Sequence, residues 1–232
     1  MRKIEKIVYN FDELDKGVQD KLIEKRKETE IDDYCNYYLE SDMEEVAINL
    51  LQEKFVNYKS FDNLNLIPSF MRIYCDLSYS QGSGSCFEFD VNIRVLLDKY
   101  NVFKNSEITR LIIDKELINN NTVHILHNSY CRYYHEYSCT SDYYFDSNLS
   151  YDDIKDDYNI SQEEFNSIEK ILNELLDFDI NNLSPFWKDC IDMFKKLTKN
   201  GYDMIENCVD MDVLLDNLRL DEYFIDGSVY DE

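Results

Sequence analysis

Apolar positions change their period along the chain, and the changes mark out helical, extended and again helical stretches. Residues Arg2 to Tyr9 alternate weakly, which is the spacing of a strand or an extended lead-in. Phe11-Asp12-Glu13-Leu14 then opens a helix with Asp12 as its N-cap. Leu14, Val18, Leu22 and Ile23 return on one face of that helix through about Lys27. A second helix is predicted from about Asp32 to Tyr58, with Val46, Leu50, Leu51 and Phe55 as its apolar stripe. The Asn- and Pro-containing segment 59–69 breaks the pattern and reads as a loop.

From residue 70 the texture is different. Residues 70–79 and 85–91 are rich in β-formers and flank Gln81-Gly82-Ser83-Gly84, the composition of a hairpin turn. The stretch 93–118 predicts a helix near 92–100 and another near 106–115, and Asn119-Asn120-Asn121 ends it. Thr122 to about Phe145 is β-branched and aromatic, which suggests two more antiparallel strands. Residues 150–178 form one or two acidic helices with Ile168, Ile171, Leu172, Leu175 and Leu176 facing inward. Ser184-Pro185 starts the next helix, because Pro is tolerated in a first turn. The last helices cover about 186–200 and 208–218, and a short strand precedes Asp226-Gly227. The order helices, strands, helices predicts an α+β fold in which helices flank a small antiparallel β-sheet. No repeat and no linker marks a boundary. The expectation is a single domain over 1–232, within which an N-terminal α+β part (1–149) and an acidic helical part (150–232) can be distinguished.

Composition narrows the classes. Of 232 residues 44% are apolar and 31% charged, with five Gly and two Pro, which excludes a disordered tail, a collagen-like fibre and a low-complexity linker. No apolar run approaches the roughly 20 residues that cross a bilayer, and no apolar segment follows Met1-Arg2-Lys3 as in a signal peptide. The expectation is a soluble cytoplasmic protein with no membrane partner.

Charge adds more. There are 24 Lys and Arg against 48 Asp and Glu, a net charge of −24. Such an excess disfavours direct binding of DNA, RNA or acidic lipid, and favours basic partners, including the grooves in which other proteins hold nucleic acid. Solubility, or an acidic host proteome, would also account for the total. The distribution is more specific: residues 1–139 are net −7 and residues 140–232 net −17. The excess lies in 140–180 and 203–232, and 181–202 between them is slightly basic. The candidate partner-binding carboxylates are therefore Asp142, Asp146, Asp152, Asp153, Asp156, Asp157, Glu163, Glu164, Asp210, Asp212 and Asp216.

Reactive chemistry is less well supported. The seven cysteines (35, 75, 86, 131, 139, 190 and 208) include no Cys-x-x-Cys pair and read as reduced thiols. His124, His127, Cys131 and His135 would share one face of a helix and could then hold zinc. Their neighbours Val123, Ile125, Tyr130, Tyr133, Tyr134 and Tyr137 instead prefer a strand, on which His127, Cys131 and His135 stand about 13 Å apart in succession. Gly82-Ser83-Gly84 lacks the Lys and the strand–loop–helix setting of a phosphate loop, so a turn is expected. Asp152-Asp153 and Asp156-Asp157 read as a solvated helix face, with no EF-hand spacing. No metal, no cofactor and no catalytic residue is expected; a Cys/His pair assembled in space, or a metal-dependent enzyme, stays as an alternative.

Four stretches carry a resemblance across nearly the whole chain. They are Phe11-Asp12-Glu13-Leu14; the central Leu77-Ser78-Tyr79-Ser80-Gln81-Gly82-Ser83-Gly84-Ser85-Cys86-Phe87; Tyr133-Tyr134-His135-Glu136; and Phe224 to Gly227 after an acidic helix. With these the chain resembles a family of acidic phage- and prophage-encoded proteins often labelled "antitoxin of toxin-antitoxin stability system". Two positions depart from the family pattern: Ser83 stands where the family has Asp, and the tail is about one residue shorter. The resemblance implies a binding protein rather than an enzyme, at work in the cytoplasm of an infected bacterium. By analogy with other small acidic phage proteins it implies an anti-defence, anti-CRISPR-like inhibitor. Its partner would be a host protein, a basic nucleic-acid-binding effector nuclease. An antitoxin that binds a toxin protein directly is the competing expectation.

Overall fold

The structure, a computed structural model, describes residues 7–56, 70–78, 80, 82–101, 112, 122–142, 152, 155 and 159–230. In chain order its first elements are β1 (Tyr9–Asn10), a 3-10 turn (Phe11–Glu13), α1 (Lys16–Tyr37), α2 (Leu39–Leu51) and a π-helical turn (Gln52–Val56). Next come β2 (Phe70–Asp76), β3 (Gly84–Asn92), α3 (Ile93–Lys99), β4 (Thr122–His127) and β5 (Cys139–Asp142). The chain closes with α4 (Gln162–Leu176), α5 (Pro185–Asn207), α6 (Met211–Leu220) and β6 (Glu222–Tyr223). The fold is α+β, as the alternation of patterns predicts, with its strands in two small antiparallel sheets.

The chain divides into two compact units, Met1–Ser41 with Tyr202–Glu232, and Asp42–Gly201. In the first, β1 pairs with β6 so that Tyr9 faces Tyr223, and α1 packs on α6. Phe11, Leu14, Leu214, Leu218 and Tyr223 are its buried cluster, with Val18, Leu22 and Ile23 of α1 laid against it. The rings of Phe11 and Tyr223 meet edge to face at 6.4 Å, and the Tyr223 hydroxyl donates to the Leu218 carbonyl at 3.0 Å. That bond satisfies a polar atom which burial would otherwise penalise.

Helix α1 departs from the expected boundary near Lys27. It runs unbroken to Tyr37, and the break comes at Tyr38, where φ is −123°. The apolar rhythm lapses at Glu28 and Thr29, which are exposed, and at Glu30, which is polar although half-covered. The helix continues through them on local bonds: Thr29 Oγ1 to the Lys25 carbonyl (3.0 Å) and Arg26 to Glu30 (3.2 Å).

The second unit is built on a four-stranded sheet of order β2-β3-β4-β5, antiparallel throughout. Phe87, Phe89, Val91, Val123 and Ile125 alternate along β3 and β4 and are all buried. Phe87 meets Phe194 of α5 at 5.1 Å, and Phe89 meets Phe55 of the π-helical turn at 5.9 Å. Ser85 is tied to α5 as well, its amide and hydroxyl both bonded to Thr198 Oγ1 at 2.9 and 2.8 Å.

An ionic hub closes the same unit. Asp189 of α5 receives Lys99 Nζ at 2.7 Å, the Tyr100 hydroxyl at 2.8 Å and Lys54 Nζ at 3.1 Å. Burial by itself would raise the Asp189 carboxyl, but the bonds from Lys99, Tyr100 and Lys54 outweigh it and hold it below the usual carboxylate range. Lys99 also lies over the Phe55 ring at 4.4 Å and donates to the Lys54 carbonyl at 2.8 Å.

The expected hairpin joins β2 to β3, through a connection longer than a tight two-residue turn. Ser83 N donates to the Ser80 carbonyl at 3.1 Å, and Gly82 between them has φ of +94°, where a side chain is strained. Gly84 is required for a different reason: a Cβ there would stand 3.0 Å from the backbone of Tyr134 and His135. The expected loop at 59–69 and the expected helix near 106–115 lie outside the described residues, apart from the helical Ile112.

Candidate acidic docking surface

Helix α4 is defined by its first residues. Ser161 Oγ accepts from Glu164 N at 3.3 Å, while Glu164 Oε2 accepts from the Ser161 amide at 2.8 Å and hydroxyl at 2.7 Å. This reciprocal cap supplies acceptors to amides that have none within the helix, and the Ser161 bonds hold the Glu164 carboxyl below its usual range. Phe165, Ile168, Leu172, Leu175 and Leu176 then turn inward and are buried. The last carbonyls are satisfied from other segments. Leu175 O accepts from Ser184 Oγ at 2.6 Å, and Leu176 O accepts from Ser141 Oγ at 2.7 Å and from the Trp187 indole N–H.

With one face fixed so firmly, the other is left to polar side chains. Asn166, Glu169, Lys170, Asn173 and Glu174 of α4, with Asp177, Asp179 and Asn182 of the loop after it, line an open depression of about 560 Å³. Four carboxylates meet one ammonium there, and Lys170 approaches Glu174 only to 3.8 Å. Ionised carboxylates accept hydrogen bonds and donate none. The depression is thus suited to guanidinium or ammonium groups brought by another molecule.

The carboxylates expected at the partner surface fall into distinct roles. Glu163 and Glu164 lie in the first turn of α4, and Glu164 is engaged in the cap. Asp210 is the N-cap of α6, accepting from Asp212 N at 2.9 Å and Val213 N at 3.3 Å. Asp212 sits in that first turn, and Asp216 pairs with Arg219 at 3.2 Å. Asp152 is exposed and paired with Lys155 at 2.8 Å. Asp142 ends β5, directly opposite His124 in the sheet register. Asp146, Asp153, Asp156 and Asp157 lie outside the described residues. The structure therefore places Asp142, Asp152, Glu163 and Glu164 in the second unit and Asp210, Asp212 and Asp216 in the first. Glu169, Glu174, Asp177 and Asp179, which line the depression, are absent from the expected set. The signal for the two glutamates was present, since both lie off the apolar stripe of α4.

The histidine row is corrected. His124 and His127 belong to β4, but Cys131 and His135 lie in the loop 128–138 rather than on a strand. Aromatic residues there serve packing: His127 stacks on Tyr74 at 4.5 Å, Tyr134 closes on both rings at 5.3 and 5.5 Å, and Tyr137 meets Phe178 at 6.4 Å. Glu88 Oε1 joins this cluster, accepting from the Tyr74 hydroxyl and from His127 N, both at 3.0 Å. His124 Nδ1 is 2.6 Å from Asp90 Oδ1. Among the described residues no three His, Cys, Asp or Glu side chains converge as a metal would require. The Cys139 thiol is pushed well up by its bond to Cys86 and by burial, and Cys190 by burial, so both are neutral thiols. No helix among the described residues is long and apolar enough to cross a membrane. No protein-family model, curated protein or solved structure matches the chain.

Proposed function

We propose that this protein is a non-enzymatic, phage- or prophage-encoded inhibitor that acts in the bacterial cytoplasm. It occupies the basic nucleic-acid groove of a host defence nuclease, in the manner of an anti-CRISPR protein. The observation that carries this reading is the outer face of α4 with the loop after it, where Glu169, Glu174, Asp177 and Asp179 surround a depression that contains one cation. Carboxylates held on a rigid helix offer Lys and Arg side chains the negative charge that phosphates otherwise supply, and they steer encounter over long range. Their fold does not depend on them, because the buried stripe and the caps hold α4 in place.

A second reading, an antitoxin that neutralises a toxin protein, is favoured by exposed aromatic area in the loop 128–138, where Tyr130 is 97% and Tyr133 47% exposed. Interfaces of that kind draw their affinity from Tyr and Trp and respond weakly to salt.

The test is displacement of DNA from purified RNA-guided effector nucleases at about 50 and 200 mM salt, where screening differs strongly. The variant E169Q/E174Q/D177N/D179N is run alongside. Inhibition by the wild type is expected to fall at least about tenfold over that range, and the variant is expected to inhibit weakly at both. Binding that is insensitive to both changes and lost on Tyr130→Ala/Tyr133→Ala supports the antitoxin reading instead.

A further inference from the structure

Helix α1 has 22 residues and none of them is buried. Val18, Gln19, Leu22, Ile23, Glu30, Ile31 and Tyr34 are half-covered and mark its inward side. At about 100° per residue, the side directly opposite is the stripe Lys21, Lys25, Glu28 and Asp32, all exposed. Charge is segregated along it, two cations and then two anions.

Within its own chain this layout is poorly compensated. Lys21 with Lys25, and Glu28 with Asp32, are like charges at i,i+4, the spacing that destabilises a helix. Only Lys25 with Glu28, at i,i+3, sets opposite charges side by side on the stripe. The last turn of the helix also has no basic residue, so its C-terminal end does not complement the macrodipole, although the Asp15 N-cap places a carboxylate at the other end. Helix α6 complements both of its ends, with Asp212 in its first turn and Arg219 in its last, and α4 has Glu163 and Glu164 in its first turn. Among the described residues none of the four stripe side chains forms a salt bridge. The ion pair that α1 does form, Arg26 to Glu30 at 3.2 Å, lies off the stripe.

A second copy of the same stripe is its complement. Turned about a two-fold axis between residues 26 and 27, an antiparallel copy sets Lys25 against Glu28 and Lys21 against Asp32, each pair occurring twice by symmetry. We infer that this face of α1 is a self-association surface, on which two copies of the chain pair antiparallel through these four residues. Such an interface is isologous and closes at the dimer. A helix of this length is about 33 Å long, so two of them side by side bury less than a stable interface needs, and the dimer is weak and reversible. The net charge of −24 opposes it at long range. Salt near 0.1 M screens that repulsion beyond about 10 Å, while pairs in contact are screened less. Dimer population therefore passes through a maximum at intermediate ionic strength.

The experiment is sedimentation equilibrium of the full chain at about 0.1 M salt, up to millimolar concentration, with circular dichroism as the control for helix content. Three variants are compared: K21E/K25E, E28K/D32K, and all four changes together. The wild type is expected to dimerise reversibly, and each double variant to associate about tenfold more weakly or worse. An equimolar mixture of the two double variants should restore association as a heterodimer, and the quadruple variant should restore the homodimer. A wild type that stays monomeric overturns the inference whatever the variants do. A wild-type dimer that both double variants preserve, or a mixture that associates no better than its components, overturns it equally.

Discussion

In the first unit five buried residues, Phe11, Leu14, Leu214, Leu218 and Tyr223, form the core, and α1 contributes no fully buried side chain. In the second, a four-stranded sheet lays Phe87, Phe89, Val91, Val123 and Ile125 against helices that bury Trp187, Phe186, Phe194 and Leu172. An ionic hub at Asp189 is added to that core. The contrast shows two ways to carry a large anionic excess. The second unit fixes its acidic helix α4 by a deep apolar stripe and leaves the opposite face free for carboxylates. The first unit has little core to spend on α1, and the outer stripe of that helix carries its charge in blocks, Lys21 and Lys25 followed by Glu28 and Asp32.

The largest effects should come from the cores themselves. Trp187→Ala is expected to cost about 4 kcal/mol, through lost burial and the cavity left behind, and Tyr223→Ala about 3 kcal/mol. Hydrogen exchange checks both: Trp187→Ala should deprotect the amides of β3 and α5, and Tyr223→Ala those of α1 and α6, by about two orders of magnitude or more. Equal, small deprotection in the two variants would break the contrast drawn between the cores.

The hub ranks next. Asp189→Ala leaves Lys54 and Lys99 half-buried without their shared acceptor and is expected to cost about 3 kcal/mol at neutral pH. The sign with pH follows from the depressed carboxyl. A group whose folded pKa lies below its unfolded value of about 3.9 stabilises fully above that value, and the contribution is lost as pH falls through the folded pKa. The stability gap between wild type and Asp189→Asn, measured by urea unfolding, should therefore be widest above about pH 5 and shrink towards pH 2. A gap that is flat over that range would mean that Asp189 is held by shape rather than charge.

The smallest effects concern the caps. Ser161→Ala on α4 and Asp210→Ala on α6 are each expected to cost about 1 kcal/mol, read as a lowered melting temperature. This pair sharpens the assignment of the acidic residues. If Asp210→Ala leaves stability unchanged but weakens partner binding, Asp210 is a contact residue and not the cap its hydrogen bonds describe.

Several features were legible in the residue pattern. The α4 stripe, the start of α5 at Ser184-Pro185, the hairpin after β2 and the antiparallel pair β4 and β5 follow from periodicity and turn chemistry that act over a few residues. The loop 128–138 was not legible as a loop. Tyr134 and Tyr137 are good strand formers, but here Tyr134 packs on Tyr74 and His127 and Tyr137 on Phe178, and such contacts override local propensity. The continuation of α1 past Lys27 was hidden because an exposed helix has no apolar rhythm to follow.

By itself, the sequence determined the α+β class, the outward charge of the C-terminal third and the helix faces that must turn inward, since each rests on interactions between near neighbours. Tertiary structure alone decided three things. It set the pairing of β1 with β6 from opposite ends of the chain, and it brought Lys54 and Lys99 onto Asp189. It also decided which carboxylates share a depression: Glu169 and Glu174 share theirs with Asp177, Asp179 and Asn182 because the chain turns after Leu176, whose carbonyl is held by Ser141 and Trp187. The reason in each case is that the partners are far apart in sequence or separated by a turn. Their meeting depends on how whole elements pack, and no local pattern encodes it.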